Sequence, residues 1–180
     1  RINVTVNGIP FNDAESHGVY FVDLPDFASS TGNIQIQRGI GSSTNGAGAY
    51  GGTINMQPNN LNRQSYAGWS SAAGSFGTLK NTVTVGSGLI DGKFIVEARL
   101  SKINSDGYID RASSDLHSFY LSGGYFTKKS MLKAIFFSGK EKTYQAWYGI
   151  PSTMLETNRT YNPAGIINGK NGEVSFYDNE

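Results

Sequence analysis

From Gln64 onward the chain alternates between apolar and polar side chains. Residues 78–90 carry Leu79, Val83, Val85 and Leu89 on one side of a pleat and Lys80, Thr82 and Thr84 on the other. Residues 93–104 set Phe94, Val96, Ala98 and Leu100 against Lys93, Glu97, Arg99 and Ser101. Residues 116–127 set Phe119, Leu121 and Tyr125 against Ser118, Tyr120 and Ser122. A period of two marks a strand whose faces see different surroundings. Residues 130–142 are less regular: Leu132, Ala134 and Phe136 share a face, but Ile135 and Phe137 occupy the other. Residues 65–76, with Tyr66, Trp69 and Phe76, are ambiguous, because small residues dilute both faces. Asp91-Gly92 and Lys128-Lys129 read as tight turns, and the stretches 105–115 and from Thr143 onward as longer connections. The pattern predicts an antiparallel meander of long strands.

Residues 1–62 read differently. Short strand signals at 2–6, 34–38 and 53–56 are separated by irregular text. The first runs into an Asn7-Gly8 turn, and Gln57-Pro58-Asn59-Asn60 breaks the last. Residue 1 opens directly into a strand pattern and the tail stops in loop chemistry, so both ends read as internal to a longer protein.

Long alternating strands fit either a soluble sandwich or a membrane barrel. Length separates the two: a tilted spanning strand takes about 9–11 residues, while soluble strands average about 5–6. Short turns at one end and long loops at the other also fit a barrel. Composition does not oppose this. Mean hydropathy is −0.34, which a barrel tolerates because only every second residue is apolar. Charged residues are 16 %, aromatics 12 %, and 23 of the 180 residues are glycine. There is no cysteine, hence no disulfide or thiolate metal site. Net charge is +1 with no basic stripe along the sequence, which argues against a nucleic-acid partner.

The stretch 38–56, RGIGSSTNGAGAYGGTINM, contains G-x-G-x-x-G at Gly46, Gly48 and Gly51. A dinucleotide cradle needs a strand just before, a helix just after and an acid about twenty residues on. The text after Gly51 alternates like a strand, and Ser70, Ser71 and Ala72 stand where the acid belongs. A P-loop fails too, because Ala47-Gly48 replaces Lys-Ser/Thr. Ile40, Tyr50 and Ile54 interrupt the glycines, so a packed turn is favoured over a free linker.

These residues resemble a known pattern. Ile34-Gln35-Ile36-Gln37-Arg38-Gly39, a Gly/Ser tract, and then Gly48-Ala49-Tyr50-Gly51-Gly52-Thr53-Ile54-Asn55-Met56 are similar to the end of the plug domain of TonB-dependent outer-membrane receptors. Val6-Asn7-Gly8-Ile9-Pro10 resembles a segment upstream in that plug, and Ser105-Asp106-Gly107-Tyr108 the end of an early barrel strand. Asn45-Gly46 stands where the family often has Tyr-Gly. The resemblance implies a mainly β fold: residues 1–62 as the end of an α+β plug domain, and 63–180 as the first four or five antiparallel transmembrane strands of a barrel of about 22 strands. It implies residence in the bacterial outer membrane, in contact with lipid. It also implies transport of an external substrate driven by a TonB-type coupling protein, whose binding segment lies outside this chain. A surface lipoprotein is a further partner the family admits. A metal chelate such as a siderophore is the favoured substrate, with cobalamin or a glycan as alternatives. Arg38, Gly39, Gly46, Gly48, Gly51 and Gly52 become the structural turn between plug and barrel. Arg38 is either one half of an ion pair within the plug or a surface arginine at a strand end.

Candidate binding residues follow. Asp13, Glu15, Ser16 and His17 form a compact polar loop. Two carboxylates and an imidazole can hold a metal, although loop acids beside one histidine are more often simply solvated. By the resemblance this loop faces the external vestibule and touches substrate. Tyr144, Trp147 and Tyr148 can stack on a flat or sugar-like ligand, or join the aromatic girdle of a membrane interface, the commoner use. Glu97 and Arg99 would point into the lumen and reach the plug, because a charge facing lipid costs roughly 2–4 kcal/mol. No catalytic arrangement stands out, His17 and His117 are far apart, and neither enzymatic activity nor a cofactor is expected. The rival is a soluble β-rich surface binding module such as a lectin, in which Phe94, Val96, Leu100 and Phe119 would be buried against protein.

Overall fold

The computed structural model describes residues 2–40, 49–144, 146–169 and 173–176. Its strands are β1 (Ile2–Val6), β2 (Ile9–Pro10), β3 (Thr31–Arg38), β4 (Gly52–Pro58), β5 (Ser65–Ala73), β6 (Leu79–Ser87), β7 (Phe94–Ser105), β8 (Ser114–Phe126), β9 (Met131–Thr143), β10 (Ile166–Asn168) and β11 (Val174–Phe176). One short helix, α1 (Met154–Thr157), and two 3-10 turns, Phe21–Asp23 and Phe27–Ser30, complete the described elements.

The first sheet has the order β2-β1-β4-β3. Asn7 and Gly8 both take positive φ, 53° and 79°, which a tight two-residue hairpin turn requires. This joins β1 to β2, with Val6 opposite Ile9. β1 then pairs in parallel with β4, from Ile2 opposite Gly52 to Val6 opposite Met56. β3 closes antiparallel on β4, with Ile36 opposite Ile54. Thr5, Asn55 and Gln35 form a hydrogen-bonded polar ladder across one face, Thr5 Oγ1 donating to Asn55 Oδ1 at 2.9 Å and Asn55 Nδ2 to Gln35 Oε1 at 3.3 Å.

The second sheet is the five-stranded meander β5-β6-β7-β8-β9. Its strands run to 9, 9, 12, 13 and 13 residues, long enough to span a bilayer when tilted. The ambiguous stretch after Gln64 is a full strand, paired to β6 from Ser65–Ser87 to Ala73–Leu79. Asp91 (φ 48°) and Gly92 (φ 67°) make the sharp β6–β7 turn, and Thr127 N–H bonded to Ser130 O closes the β8–β9 turn.

The polarity of this sheet is inverted relative to a soluble one. The face turned toward the first sheet carries Ile95, Glu97, Arg99, Ser101, Ser118, Tyr120 and Ser122, all buried. The opposite face carries Phe94 (48 % exposed), Val96 (46 %), Leu100 (57 %) and Phe136 (58 %). Phe119 on that face is half-buried among its neighbours. Across the middle of these strands charge lies inside and grease outside.

The core sits between the two sheets. Val4, Val6 and Met56 from the first sheet meet Leu24 and Phe27 from the connecting segment and Tyr120 from β8. Ile135 and Phe137 pack against this cluster from β9, with the Phe27 and Phe137 rings 4.9 Å apart. That explains the irregular pattern of β9. Its inward side chains are apolar where they meet the core and its outward ones are apolar as well. Each such side chain contributes about 1.5–3 kcal/mol on full burial.

Candidate functional site

Asp26 is the hub that fastens the first sheet's segment to the meander. It precedes the Phe27–Ser30 turn in a left-handed conformation, φ 51°. Its Oδ1 accepts from Lys80 Nζ of β6 at 2.7 Å and from Ser29 Oγ at 2.6 Å. Its Oδ2 accepts from Arg99 Nη1 of β7 at 2.8 Å. Arg99 is fully engaged: Nε donates to Ser30 Oγ at 2.6 Å, and Nη2 to Asp26 O and Ser118 Oγ, both at 3.0 Å. The Arg99 and Asp26 side chains are 5 % and 7 % exposed. Burial pushes the Asp26 carboxyl up, but the hydrogen bond from Lys80 and those from the Ser101 and Ser29 hydroxyls outweigh it and hold the group below its usual 3.8. Glu97, two residues along the same inward face, accepts the Asn62 N–H at 2.6 Å and pins the chain just before β5.

Arg99 and Glu97 thus reach the first sheet's side, as their place on the polar face predicts. Asp26 was missed, because nothing in Leu24-Pro25-Asp26-Phe27 distinguishes its carboxylate from a turn residue until Arg99 is brought beside it. Arg38 is exposed at the end of β3, opposite Gly52. Among the described residues the buried arginine is Arg99 instead. Gly39 (φ 74°) closes the turn region, its N–H bonded to Gly51 O at 3.2 Å. Gly52 is buried at φ 148°, and a Cβ there would stand 2.5 Å from Gln37 O. Gly46 and Gly48 lie outside the described residues.

The 13–17 loop is wound on itself. Asp13 Oδ1 accepts the N–H groups of Glu15 at 3.1 Å and Ser16 at 2.6 Å, and Ser16 Oγ accepts from Gly18 N–H at 3.1 Å. The Ser16 backbone bond, first, then its hydroxyl, hold the Asp13 carboxyl below the ordinary range. His17 takes φ 54°. Glu15 and His17 are exposed, and among the described residues no three His, Cys, Asp or Glu side chains gather as metal ligands. The loop therefore offers two exposed polar side chains beside a carboxylate already satisfied by its own backbone.

The three aromatics separate into two groups. Trp147 and Tyr148 are 71 % and 55 % exposed, their rings 6.1 Å apart. Tyr144 is half-buried at the end of β9, with the Arg111 guanidinium 5.9 Å from its ring and 4.0 Å from that of Phe176. Arg111 Nη2 also donates to Asn162 O at 2.6 Å and Ala164 O at 3.1 Å. Arg111 therefore ties the β7–β8 loop to the long tract after β9, a link the sequence reading did not find.

A mixed sheet locked by a buried ion pair against the polar face of a meander whose other face is greasy is an arrangement that solved outer-membrane receptors share over part of their length. Solved structures bear this out. The chain is similar to the pyoverdine outer-membrane receptor FpvA from Pseudomonas aeruginosa PAO1 bound to pyoverdine, at TM-score 0.62 and 18 % identity, covering 77 % of this chain and 20 % of that one. It is similar to the ferripyoverdine receptor of the P. aeruginosa outer membrane bound to ferripyoverdine at TM-score 0.62 and 16 % identity, covering 78 % and 19 %. The FpvAI–pyocin S2 complex matches at TM-score 0.65 and 21 % identity, covering 78 % and 19 %. The chain thus spans about a fifth of the length of these receptors. No family model and no curated protein matches the sequence.

Proposed function

We propose that the chain is part of a TonB-dependent outer-membrane receptor. Residues 1–62 are the end of its plug and 63–180 its first barrel strands, within a barrel of about 22. The observation that carries this reading is the inverted meander: Glu97 and Arg99 buried at 5 % and 4 % exposure, Leu100 between Arg99 and Ser101 left 57 % exposed. Water would favour the opposite arrangement; hydrocarbon outside and a plug inside favour this one. The soluble lectin reading would bury Phe94, Val96 and Leu100, and it loses support accordingly.

In this reading an external substrate settles between plug and barrel loops. An inner-membrane TonB-type complex then rearranges the plug from the periplasmic side. A metal chelate is the favoured substrate, supported by the pyoverdine-bound receptors of the same fold. Cobalamin and a glycan are the alternatives. Glu15 and His17, with Asp13 and Ser16 shaping their loop, the exposed pair Trp147 and Tyr148, and Tyr144 at the end of β9 are the proposed contacts.

The test uses the full-length receptor in a strain lacking its other chelate receptors. Growth on a ferric siderophore under iron limitation, abolished by deleting the receptor gene, is the expected result. Trp147→Ala with Tyr148→Ala weakens chelate binding about tenfold, read as quenching of the remaining protein fluorescence. Growth that depends on the receptor only with a polysaccharide as sole carbon source would replace the chelate with a glycan.

A further inference from the structure

Toward the long-loop end the outward face of the meander turns polar. Asn81 of β6 lies opposite Lys102 of β7, Lys102 opposite His117 of β8, and His117 opposite Lys140 of β9. All four share the outward parity of Val83, Leu100 and Phe119, which form the next row toward the short-turn end. Lys102, His117 and Lys140 are exposed. Neighbouring strands lie about 4.8 Å apart, so the two ammonium groups stand on strands roughly 10 Å apart with the imidazole between them.

The surroundings sharpen the charge. The following outward row contains Asn104, Asp115 and Lys142, with Asp115 opposite Lys142. Asp115 Oδ1 sits 3.2 Å from His117 Nε2. Among the described outward side chains of the two rows, three lysines and a histidine face one carboxylate. Adjacent like charges on a sheet face are unfavourable without a counterion. Below the row, Leu100 and Phe119 line a shallow groove of about 570 Å³ that continues up to Lys102, His117 and Lys140. The row also lies at the end of the strands where the long 106–113 connection joins β7 to β8.

We infer that this row holds the phosphate of a phosphorylated lipid of the outer leaflet, its acyl chain lying in the groove over Leu100 and Phe119. The inference rests on the proposed barrel reading, which puts the long-loop end at the outer surface. Charge complementarity and the continuous apolar groove together favour a lipid over a free ion. A lone phosphate would leave the groove unused.

The test is native mass spectrometry of the full-length receptor extracted from outer membranes, then exchanged into phosphatidylcholine nanodiscs with or without bisphosphorylated lipid A. The wild type is expected to retain lipid A and to discriminate against its dephosphorylated form. Lys102→Gln with Lys140→Gln lowers retention about thirtyfold. Lys128→Gln with Lys129→Gln, the same charge change in the opposite turn, leaves it unaltered. Equal retention by wild type and the Lys102/Lys140 variant, in a receptor that still migrates as a folded heat-modifiable barrel, overturns the inference and leaves the barrel reading intact. Capture of inorganic phosphate with no preference for lipid A overturns it as well. A receptor that leaves the membrane in aqueous buffer without detergent overturns both.

Discussion

Asp26 accepts charged hydrogen bonds from two different strands, and its removal leaves Arg99 in a site where only 5 % of its side chain meets solvent. An uncompensated buried charge costs about 3–5 kcal/mol, so Asp26→Ala in the full-length protein is expected to lower unfolding stability by that amount in a denaturant titration. Lys80 is 35 % exposed, and Lys80→Ala is expected to cost only about 0.2–1 kcal/mol. Comparable losses from the two variants would refute the division of labour. The sign of the pH dependence follows from the depressed Asp26 carboxyl. The unfolded chain takes up the proton first as pH falls, so the stabilisation is complete above 3.8 and drains away below it. The stability gap between wild type and Asp26→Asn should accordingly be full at neutral pH and narrow below 3.8. Gly52 is a second residue with a steric reason for its identity. At φ 148° with Gln37 O in the way of a Cβ, Gly52→Ala should break the β3–β4–β1 junction, seen as faster protease cleavage around residues 38–52.

At the scale of the strand, the outward row Ala67, Val85, Ala98, Leu121 and Phe136 runs across the whole meander. Leu121→Arg puts a guanidinium in the middle of the apolar band. Refolding into lipid vesicles should cost roughly 2–4 kcal/mol more than wild type. On a water-exposed sheet the same change stays within about 0.5 kcal/mol, and a value that small would remove the bilayer from the account. Strand positions were largely legible beforehand, because alternation announces itself in any window of six residues or more. The inward apolar pair Ile135 and Phe137 blurred β9, since a strand facing core on one side and the greasy exterior on the other loses its alternation. β10, β11 and the short 3-10 turns escaped the sequence reading because three or four residues are too few to show a period.

For the molecule as a whole, β5 and β9 are the edges of the meander among the described residues. Open edges in hydrocarbon cost several kcal/mol per unpaired group. Residues 1–180 expressed by themselves are expected to be insoluble or aggregated without detergent, as read by size-exclusion chromatography. A detergent-free monomer with one cooperative unfolding transition would remove the basis for a membrane fold.

Alternation along the chain already decided that the second part is a run of long antiparallel strands, and which residues share a face, because pleating is a local property of consecutive residues. It could not decide which face would be covered. Pairing in three dimensions settled that, by laying the Phe27 turn and Asp26 on the polar side and leaving the apolar side open. It also brought β1 into parallel register with β4 across more than forty residues, and gathered Lys102, His117 and Lys140 into a single row from a sequence that carries no basic stripe. Such proximities depend on strand register between distant segments, and no window of the linear sequence contains that information.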